Sequence, residues 1–471
     1  MTSSTGPFES FLPALDAAGA AASGLIFRAS DAAFGPWTVL LLFGTGLFLS
    51  VRYRFVQVRH LRDALRSLRP RPADPDDREG ALSPFQAFMT ALAASVGTGN
   101  IAGVATAIVS GGPGALFWLW CYGFFATAIK FTEAILGVRY RSLGDERLSA
   151  GPMHYLRDGL GLRRLGWIYA VIAGVAALTT TPITQPNSIA IVFESHFHVP
   201  SLVTGIGVAI LAWLVIIGGI KSIGRTAGKL APAMVALYLL GGLLVIVTHA
   251  ERLPNVLALV VREAFSLRAG VGSAAGIGIM VAMRYGLARG IYANEAGYGT
   301  AAVAYGTART RRPAQQGYAA VMEVFVVSFV TSSISAFAIL LTDVWRSGST
   351  STAAVAEAFN HAAPLVGGWV VAACAFLFGY TTLLGWGYYG EQFFAYAFGP
   401  RVVVPFRWIY CGLIVVGATS RVDLVWAWGD LMNGLQILPN LVGLLGLSGV
   451  AAALLRQEEA RNAPGGVGEQ R

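Results

Sequence analysis

Residues 91–103 read Ala91-Leu92-Ala93-Ala94-Ser95-Val96-Gly97-Thr98-Gly99-Asn100-Ile101-Ala102-Gly103, an apolar run with glycines and an asparagine in its middle. Glycine costs about 1 kcal/mol inside a continuous helix, so we predict a membrane helix that is interrupted at residues 96–100. Broken backbone is tolerated at membrane depth only where it lines a protected cavity. Its freed N–H groups suit a carboxylate and its freed C=O groups suit a cation, so the interruption predicts a ligand site.

The glycine spacing has two simpler interpretations. G-x-G-x-x-x-G differs from the G-x-G-x-x-G of dinucleotide-binding loops, and no predicted strand precedes it, so we reject a nucleotide site. Gly99 and Gly103 also form a small-residue face on which another membrane helix packs closely. That packing role is compatible with an interrupted helix.

Composition places this run in a membrane protein. Of the 471 residues, 55 % are hydrophobic and only 13 % are charged, whereas an ordinary soluble domain has about 25 % charged residues. This excludes a soluble enzyme, a nucleic-acid-binding protein and a disordered chain. The cysteines form no CxxC pair, so neither a disulfide framework nor a zinc site is indicated. No nucleophile, base and metal constellation suggests an enzyme.

We predict eleven membrane spans, because a spanning helix needs about 20 apolar residues. They are 34–52, 84–109, 114–138, 166–193, 202–220, 230–248, 255–305, 318–342, 366–397, 402–419 and 424–455. We take 255–305 as one crossing that is broken near residues 270–278, where glycine and alanine are dense. Residues 1–33 precede the transporter domain 34–455 as an extracytoplasmic segment, and residues 456–471 follow it as a cytoplasmic tail.

The basic residues predict the orientation. With the N-terminus outside and the C-terminus inside, 25 of the 34 Lys and Arg residues lie in cytoplasmic loops or the tail, and six lie outside. This positive-inside bias is typical of a multi-pass protein of the bacterial cytoplasmic (inner) membrane. The lipid bilayer is then the main partner. No nucleic-acid partner and no obligate protein partner is indicated.

The spans divide into two halves of similar shape. Residues 84–248 and 255–455 each hold five crossings and open with an interrupted helix, and five is odd, so the halves have opposite topology. Such pairs are typical of transporters with inverted repeats, whose binding site lies at the interruptions. The predicted fold is an all-α polytopic membrane protein with a 5+5 inverted repeat and one additional N-terminal helix, 34–52.

Three ordered motifs resemble the alanine/glycine:cation symporter family, and the similarity runs from about residue 34 to 455. The motifs are Gly97-Thr98-Gly99-Asn100-Ile101-Ala102-Gly103 continuing to Trp118, Tyr285-Gly286 through Arg289-Gly290 to Asn294-Glu295-Ala296-Gly297, and Tyr380-Thr381-Thr382-Leu383-Leu384-Gly385-Trp386 with Tyr388-Tyr389-Gly390-Glu391. The resemblance implies the leucine-transporter fold. It also implies Na+- or H+-coupled uptake of L- or D-alanine and glycine, with no organic cofactor.

The resemblance further implies a sodium site between the first and eighth core helices. The implied ligands are the backbone carbonyls of Ala93, Val96 and Phe378 and the hydroxyls of Thr381 and Thr382. This set agrees with the preference of a hard cation for several oxygens. The alternative for the two threonines is ordinary packing, in which each hydroxyl bonds back to its own helix. The neutral oxygens favour Na+ over H+, because none of them titrates near neutral pH.

We expect the substrate zwitterion between the two broken helices, with its carboxylate at the first break and its ammonium at backbone carbonyls of residues 276–280. The expected contacts are Gly97, Thr98, Gly99, Asn100, Gly276, Ile279 and Met280. Gln185 is a buried amide and is either a substrate contact or a link between helices. The resemblance favours the contact, although Pro182 and Pro186 depart from the family pattern on either side of it.

Ionisable residues inside the spans are functional candidates. Lys130 and Glu133 are three apart on one helix, and we predict that they form a structural ion pair. We predict a cytoplasmic ion-pair network or an inner gate from three further ionisable residues, Arg284, Arg289 and Glu295.

One departure bears directly on coupling. In span 318–342, Val327 stands where the family has an acidic residue. Together with Pro182 and Pro186 on either side of Gln185, this departure leaves two alternative functions open. These are an H+-coupled symporter of the same fold and a substrate sensor or channel-like protein that does not couple transport.

Overall fold

The computed structural model describes residues 23–33, 35–68, 80–143, 148–266, 277–364, 366–420 and 422–463, and helices dominate them. The α-helices up to residue 248 are Pro36–Arg52, Val56–Arg59, Leu61–Ser67, Pro84–Ser95, Ala102–Gly111, Ala115–Arg139, Pro152–His154, Arg163–Thr179, Thr181–Phe197, Ser201–Ile216 and Gly219–Thr248. Those that follow are Leu253–Ala264, Ile277–Asn294, Thr300–Gly306, Pro313–Val324, Ser332–Leu341, Ser351–Ala362, Gly367–Phe398, Val403–Ala418, Val422–Gly446 and Ser448–Asn462. A short antiparallel strand pair, Ser142–Leu143 with Leu148–Ser149, is the one β element of the described residues.

Seven helical stretches of the described chain are long and apolar enough to cross a membrane, and two further stretches qualify as bent pairs. The seven are Ser23–Arg52, Ala115–Arg139, Arg163–Phe197, Gly219–Thr248, Pro313–Leu341, Gly367–Phe398 and Pro400–Ala418. The pairs are Pro84–Ser95 with Thr98–Gly111, bent by 57°, and Ala427–Gly446 with Ser448–Asn462, bent by 55°. Two predicted boundaries fall inside helices, since residues 23–33 are helical and Ser448–Asn462 runs past residue 455.

The predicted interruption of the first core helix is present. Pro84–Ser95 begins with a capping box, in which Ser83 and Gln86 exchange side-chain-to-backbone hydrogen bonds of 3.1 Å, an arrangement that satisfies two free amide groups. The helix stops at Val96, whose ψ of 83° leaves the helical region. One 3₁₀ turn, Thr98–Asn100, leads into Ala102–Gly111.

An interruption that the sequence did not predict lies between Asn294 and Thr300. Residues 267–276, which hold most of the segment predicted to be broken, are outside the described residues, and Ile277–Asn294 is a continuous helix. The chain leaves that helix after Asn294 and resumes helical structure at Thr300. The physical reason is a run of positive φ angles, 56° at Glu295, 96° at Gly297 and 85° at Gly299, which a right-handed helix does not accommodate.

The two breaks are held together by a central helix, Ala115–Arg139. It packs against Ile277–Asn294, Thr300–Gly306 and Pro313–Val324, and the additional N-terminal helix Pro36–Arg52 lies against it as well. A Cβ at Gly137 would collide with the Ala302 carbonyl, so glycine allows this close contact with Thr300–Gly306. The packing brings buried polar side chains of Ala115–Arg139 to the second break.

Candidate functional site

A small cavity lies between the two breaks. Its lining residues are Ala94, Ser95, Gly97, Gly99, Thr180, Thr181, Gln185, Tyr292, Glu295, Tyr298, Thr382, Trp386 and Asn433. They come from both interrupted helices, from the junction between Arg163–Thr179 and Thr181–Phe197, and from Gly367–Phe398 and Val422–Gly446. Four of the thirteen residues predicted for substrate or cation belong to this lining: Gly97, Gly99, Gln185 and Thr382.

Two amide side chains cap the freed N–H groups of the first break. The Gly97 N–H donates to Asn100 Oδ1 at 3.2 Å. The Thr98 N–H and the Thr98 hydroxyl both donate to Gln185 Oε1, at 3.0 and 2.9 Å. Gly97 must be small here, because a Cβ would lie 2.8 Å from Thr382 Oγ1 and 3.2 Å from Gln185 Oε1. Gln185 therefore links two helices and also faces the cavity.

The same break leaves carbonyl groups without their helical partners. In a continuous helix the Gly97 N–H would donate to the Ala93 carbonyl, but here it donates to Ser95 O (2.9 Å) and to Asn100 Oδ1. Likewise the Asn100 N–H donates to Gly97 O (3.1 Å) instead of to Val96 O. The carbonyls of Ala93 and Val96 are thus available to another partner.

Helix Gly367–Phe398 supplies hydroxyls beside these carbonyls. Thr382 Oγ1 donates to Ala93 O at 3.3 Å, whereas Thr381 Oγ1 bonds back to Phe378 O of its own helix at 3.2 Å, which is the packing alternative for that residue. Both threonine side chains are almost completely buried. The described residues contain no cluster of three His, Cys, Asp or Glu that suits a metal ion. A cation at this position would be coordinated by neutral oxygens, which is the chemistry predicted for Ala93, Val96, Phe378, Thr381 and Thr382.

Asn100 lies away from the cavity. Its Nδ2 donates to Val327 O (3.3 Å), Thr331 Oγ1 (3.2 Å) and Ser332 Oγ (3.2 Å), and its carbonyl accepts from Ser335 Oγ. Its amide joins the first break to the π-helical turn Phe325–Thr331, and it is not among the residues that line the cavity, so its contact with the substrate stays a prediction. Val327 contributes its carbonyl to this junction.

The second break is satisfied by a buried carboxylate. Glu133 Oε1 accepts hydrogen bonds from the N–H groups of Gly297 (2.9 Å) and Gly299 (3.1 Å) and from Asn440 Nδ2 (2.8 Å). Carbonyls of the break are bonded as well, since the Tyr122 hydroxyl donates to Ala296 O at 3.0 Å and Asn440 Nδ2 to Gly297 O at 2.8 Å. The side chains of Glu133, Asn440 and Tyr122 thus bind the backbone of this segment.

Lys130 does not pair with Glu133 as predicted. Its ammonium group lies 2.6 Å from Glu323 Oε1 and donates to Ser95 Oγ (2.8 Å) and to Asn294 O (2.5 Å). Although Lys130 and Glu133 are one turn apart, their side chains reach different partners, because Glu133 is occupied by Gly297 and Gly299. Lys130 thereby joins the last residue of Pro84–Ser95 to the last residue of Ile277–Asn294.

The predicted network of Glu295 with two arginines is also wrong. Arg284 pairs with Asp31 at 2.9 Å, and Arg289 lies 3.6 Å from Asp430. The Glu295 carboxylate instead accepts from Trp386 Nε1 (2.6 Å) and Thr300 Oγ1 (2.9 Å). Its left-handed backbone directs the side chain to the cavity and away from the arginine face of Ile277–Asn294.

The ammonium site predicted at residues 276–280 is not part of the cavity. Met280 is 63 % exposed and Ile279 is half-buried, both on a continuous helix whose carbonyls have helical partners. Gly276 lies outside the described residues. The wall opposite the first break is formed by Tyr292, Glu295 and Tyr298.

The sequence holds a signal that would have identified this wall. Gly97-Thr98-Gly99 at the first break has a counterpart in Gly297-Tyr298-Gly299 at the second. A G-x-G repeated in the two halves marks corresponding interruptions better than the general glycine density of 255–305 does. Trp386 closes the third motif, whereas Asn433 had no comparable signal, because it is one of several polar residues in its helix.

Comparisons with known proteins agree with this architecture. The sequence profile of the sodium:alanine symporter family matches residues 20–467. The sodium/alanine symporter AgcS of Methanococcus maripaludis is 38 % identical over 454 residues, which cover 93 % of this chain and 99 % of that protein. The probable sodium/glutamine symporter GlnT of Bacillus subtilis is 33 % identical over 93 % of this chain and 91 % of its own length. The putative sodium/proton-dependent alanine carrier YrbD of the same organism is 32 % identical, over 91 % and 90 %.

Solved structures share the fold at low sequence identity. A variant of the manganese transporter of Eremococcus coleocola superposes with a TM-score of 0.53 at 15 % identity, over 81 % of this chain and 83 % of that one. A Na+-coupled sialic acid symporter in a substrate-bound outward-open state gives a TM-score of 0.50 at 10 % identity, over 89 % and 86 %. The chain therefore has a helical fold like that of these transporters, and by its sequence it belongs to the sodium:alanine symporter family.

Proposed function

We propose that this protein is a secondary-active symporter that imports alanine or glycine together with Na+. The observation that carries the proposal is the pairing of two helix interruptions across one small cavity, with carbonyls that lack helical partners on one side and a carboxylate on the other. Membrane transporters place substrate and coupling ion at such interruptions. Membership of the sodium:alanine symporter family supports the same class of function.

The substrate carboxylate faces the first break in this proposal. Gln185 Oε1 is occupied by Thr98, and within the described chain its Nε2 donates no other hydrogen bond, so this N–H group is left for the carboxylate. Tyr292, Tyr298 and Trp386 bound the cavity with rigid aromatic rings. These rings restrict the substrate to a small side chain.

The coupling ion is Na+ held by neutral oxygens. Ala93 and Val96 have carbonyls without helical partners, and Thr382 already lies 3.3 Å from Ala93 O. These groups do not titrate near neutral pH, so they bind a metal cation and not a proton. The names of relatives include both sodium- and sodium/proton-dependent carriers, and the uptake assay below separates the two cases.

The membrane arrangement in this proposal has eleven crossings in a 5+5 inverted repeat with one additional helix. Ser201–Ile216 and the interrupted stretch from Ile277 to Gly306 complete the count beside the nine stretches identified by length and hydropathy. In a variant without Cys121, Cys374 and Cys411, Arg62→Cys should react with an impermeant reagent only from the cytoplasmic side and Thr350→Cys only from outside. The opposite labelling would overturn the orientation.

Transport by the purified protein in liposomes tests the function itself. One positive charge crossing about 100 mV contributes about 2.3 kcal/mol, and a tenfold Na+ gradient contributes about 1.4 kcal/mol. We therefore expect alanine to accumulate about 100-fold or more, and preloaded liposomes to exchange labelled alanine by counterflow. Binding without counterflow would show a sensor instead of a transporter.

A further inference from the structure

Glu295 is the one ionisable carboxylate or cation among the described residues that line the cavity. Its side chain is only 5 % exposed, although a buried charge at membrane depth is costly unless it is paired. Its φ of 56° is unusual for a residue with a Cβ. Strained backbone of this kind persists where the surrounding structure requires one side-chain position, often at a binding site.

The cations of the neighbourhood are engaged elsewhere. Lys130 pairs with Glu323 at 2.6 Å, Arg289 lies 3.6 Å from Asp430, and Arg284 pairs with Asp31. In the part of the chain that the structure describes, no Lys or Arg nitrogen lies within 4.0 Å of the Glu295 carboxylate. A carboxylate that faces a cavity without a cation is complementary to a positively charged ligand group.

Neutral donors position this carboxylate without saturating it. Trp386 Nε1 donates to Oε1 at 2.6 Å and Thr300 Oγ1 donates to Oε2 at 2.9 Å. An ionised carboxylate has about four acceptor positions, so one remains on each oxygen. The two bonds fix the plane of the group, and an ammonium group entering the cavity finds it already oriented.

We propose that Glu295 binds the α-ammonium group of the substrate. The inference rests on the proposed function and deepens it, because it assigns the end of the cavity that reads the positive charge. The opposite end, where the Gln185 side chain faces the cavity and its Nε2 is left for a ligand, takes the carboxylate. A ligand that fits both ends is a short zwitterion with a free amino group on the carbon next to its carboxylate.

The test asks whether the carboxylate of Glu295 determines how strongly the protein prefers a ligand that has an ammonium group. Labelled alanine bound to full-length protein at saturating Na+ is displaced by unlabelled alanine or by propionate, which has the carboxylate but no ammonium. Wild type should prefer alanine strongly. Glu295→Gln should lose alanine affinity by about 30-fold or more, as expected when one member of a desolvated charge pair is removed, while propionate affinity stays the same or improves.

Two further variants make the result specific. Glu391→Gln alters another buried carboxylate, which pairs with Arg407 at 2.7 Å outside the cavity, and should leave the alanine-to-propionate ratio unchanged. Glu295→Asp keeps the negative charge and should give an intermediate ratio, which also serves if Glu295→Gln does not fold.

Two results would overturn the inference. One is a wild-type ratio in both Glu295 variants, and the other is a change in Na+ requirement alone, which would assign Glu295 to the coupling ion. If the wild type binds neither alanine nor glycine, the proposed function fails. If the wild type binds alanine and Glu295→Gln has the same alanine-to-propionate affinity ratio, only this inference is rejected.

Discussion

The two helix breaks face the same cavity but are stabilised by opposite chemistry. At the first break, neutral amides cap the N–H groups, and the carbonyls of Ala93 and Val96 lack helical partners, although Ala93 O accepts from Thr382 Oγ1. At the second break, the Glu133 carboxylate binds two N–H groups, and another carboxylate, Glu295, belongs to the break itself. The first break therefore presents free acceptors to a small cation. At the second break the backbone groups already have side-chain partners, and the break presents the Glu295 carboxylate to the cavity.

This difference separates two tasks that a symporter performs. Na+ binds tightly only if several oxygens surround it, so the first break gains order when the ion is present. The second break needs no ion for its backbone, because Glu133, Asn440 and Tyr122 already satisfy it. We expect the first break to respond to Na+ and to the substrate carboxylate, and the second to respond to the substrate ammonium group.

Removal of the Glu133 carboxylate should have the largest effect. Glu133→Ala leaves the N–H groups of Gly297 and Gly299 and the Asn440 amide without an acceptor, which we expect to cost about 3 kcal/mol or more of folding stability. Glu133→Gln retains one acceptor oxygen and should cost about 1–2 kcal/mol. Thermal unfolding of the detergent-solubilised protein measures both, with the exposed Glu251→Ala as control. If Glu133→Ala unfolds at the wild-type temperature, Glu133 does not stabilise the second break.

Loss of the Gln185 amide should have the next largest effect. Gln185→Ala removes the acceptor of the Thr98 N–H and a donor to the substrate, so alanine affinity should fall by about 1–3 kcal/mol, or roughly 10–100-fold. Asn187→Ala on the same helix is the matched control. It breaks hydrogen bonds to Gly417 O and Ser420 O outside the cavity, so it should lower stability while affinity is kept. Equal affinity loss in both variants would assign Gln185 to helix linkage alone.

The threonine hydroxyls should have the smallest effect. Thr381→Val or Thr382→Val removes one neutral ligand of several, so the Na+ concentration for half-maximal uptake should rise about 2–10-fold while alanine affinity at saturating Na+ changes little. Thr204→Val is a suitable control, because the Thr204 hydroxyl is buried without a hydrogen-bond partner in the described chain. An unchanged Na+ requirement in both variants would place the ion elsewhere.

The sequence predicted the first break well because its signal is local. Gly97, Gly99 and Asn100 interrupt an apolar run, and backbone conformation alone determines which amide and carbonyl groups are freed. The partners of Asn100, in contrast, lie on another helix more than 200 positions along the chain. A one-dimensional pattern therefore predicted that Asn100 is polar and buried, but not that it faces Thr331 instead of the cavity.

Charged side chains were harder to assign for the same reason. Spacing suggested that Lys130 pairs with Glu133, but Glu323 lies closer across the packed interface. The strained backbone at Glu295 also has no sequence signature, since glutamate rarely adopts a positive φ. Spacing within one helix did not predict these partners, because they depend on how Ala115–Arg139 packs against the helices around it.

The central claim is that the neutral first break couples transport to Na+, and uptake under separated ion gradients tests it most directly. Liposomes that contain wild-type protein are given an inward Na+ gradient at equal pH or, in Na+-free buffer, a pH gradient alone. We predict that labelled alanine accumulates with the Na+ gradient and only equilibrates with the pH gradient. Equal accumulation in Na+-free buffer would contradict the claim and identify the proton as the coupling ion.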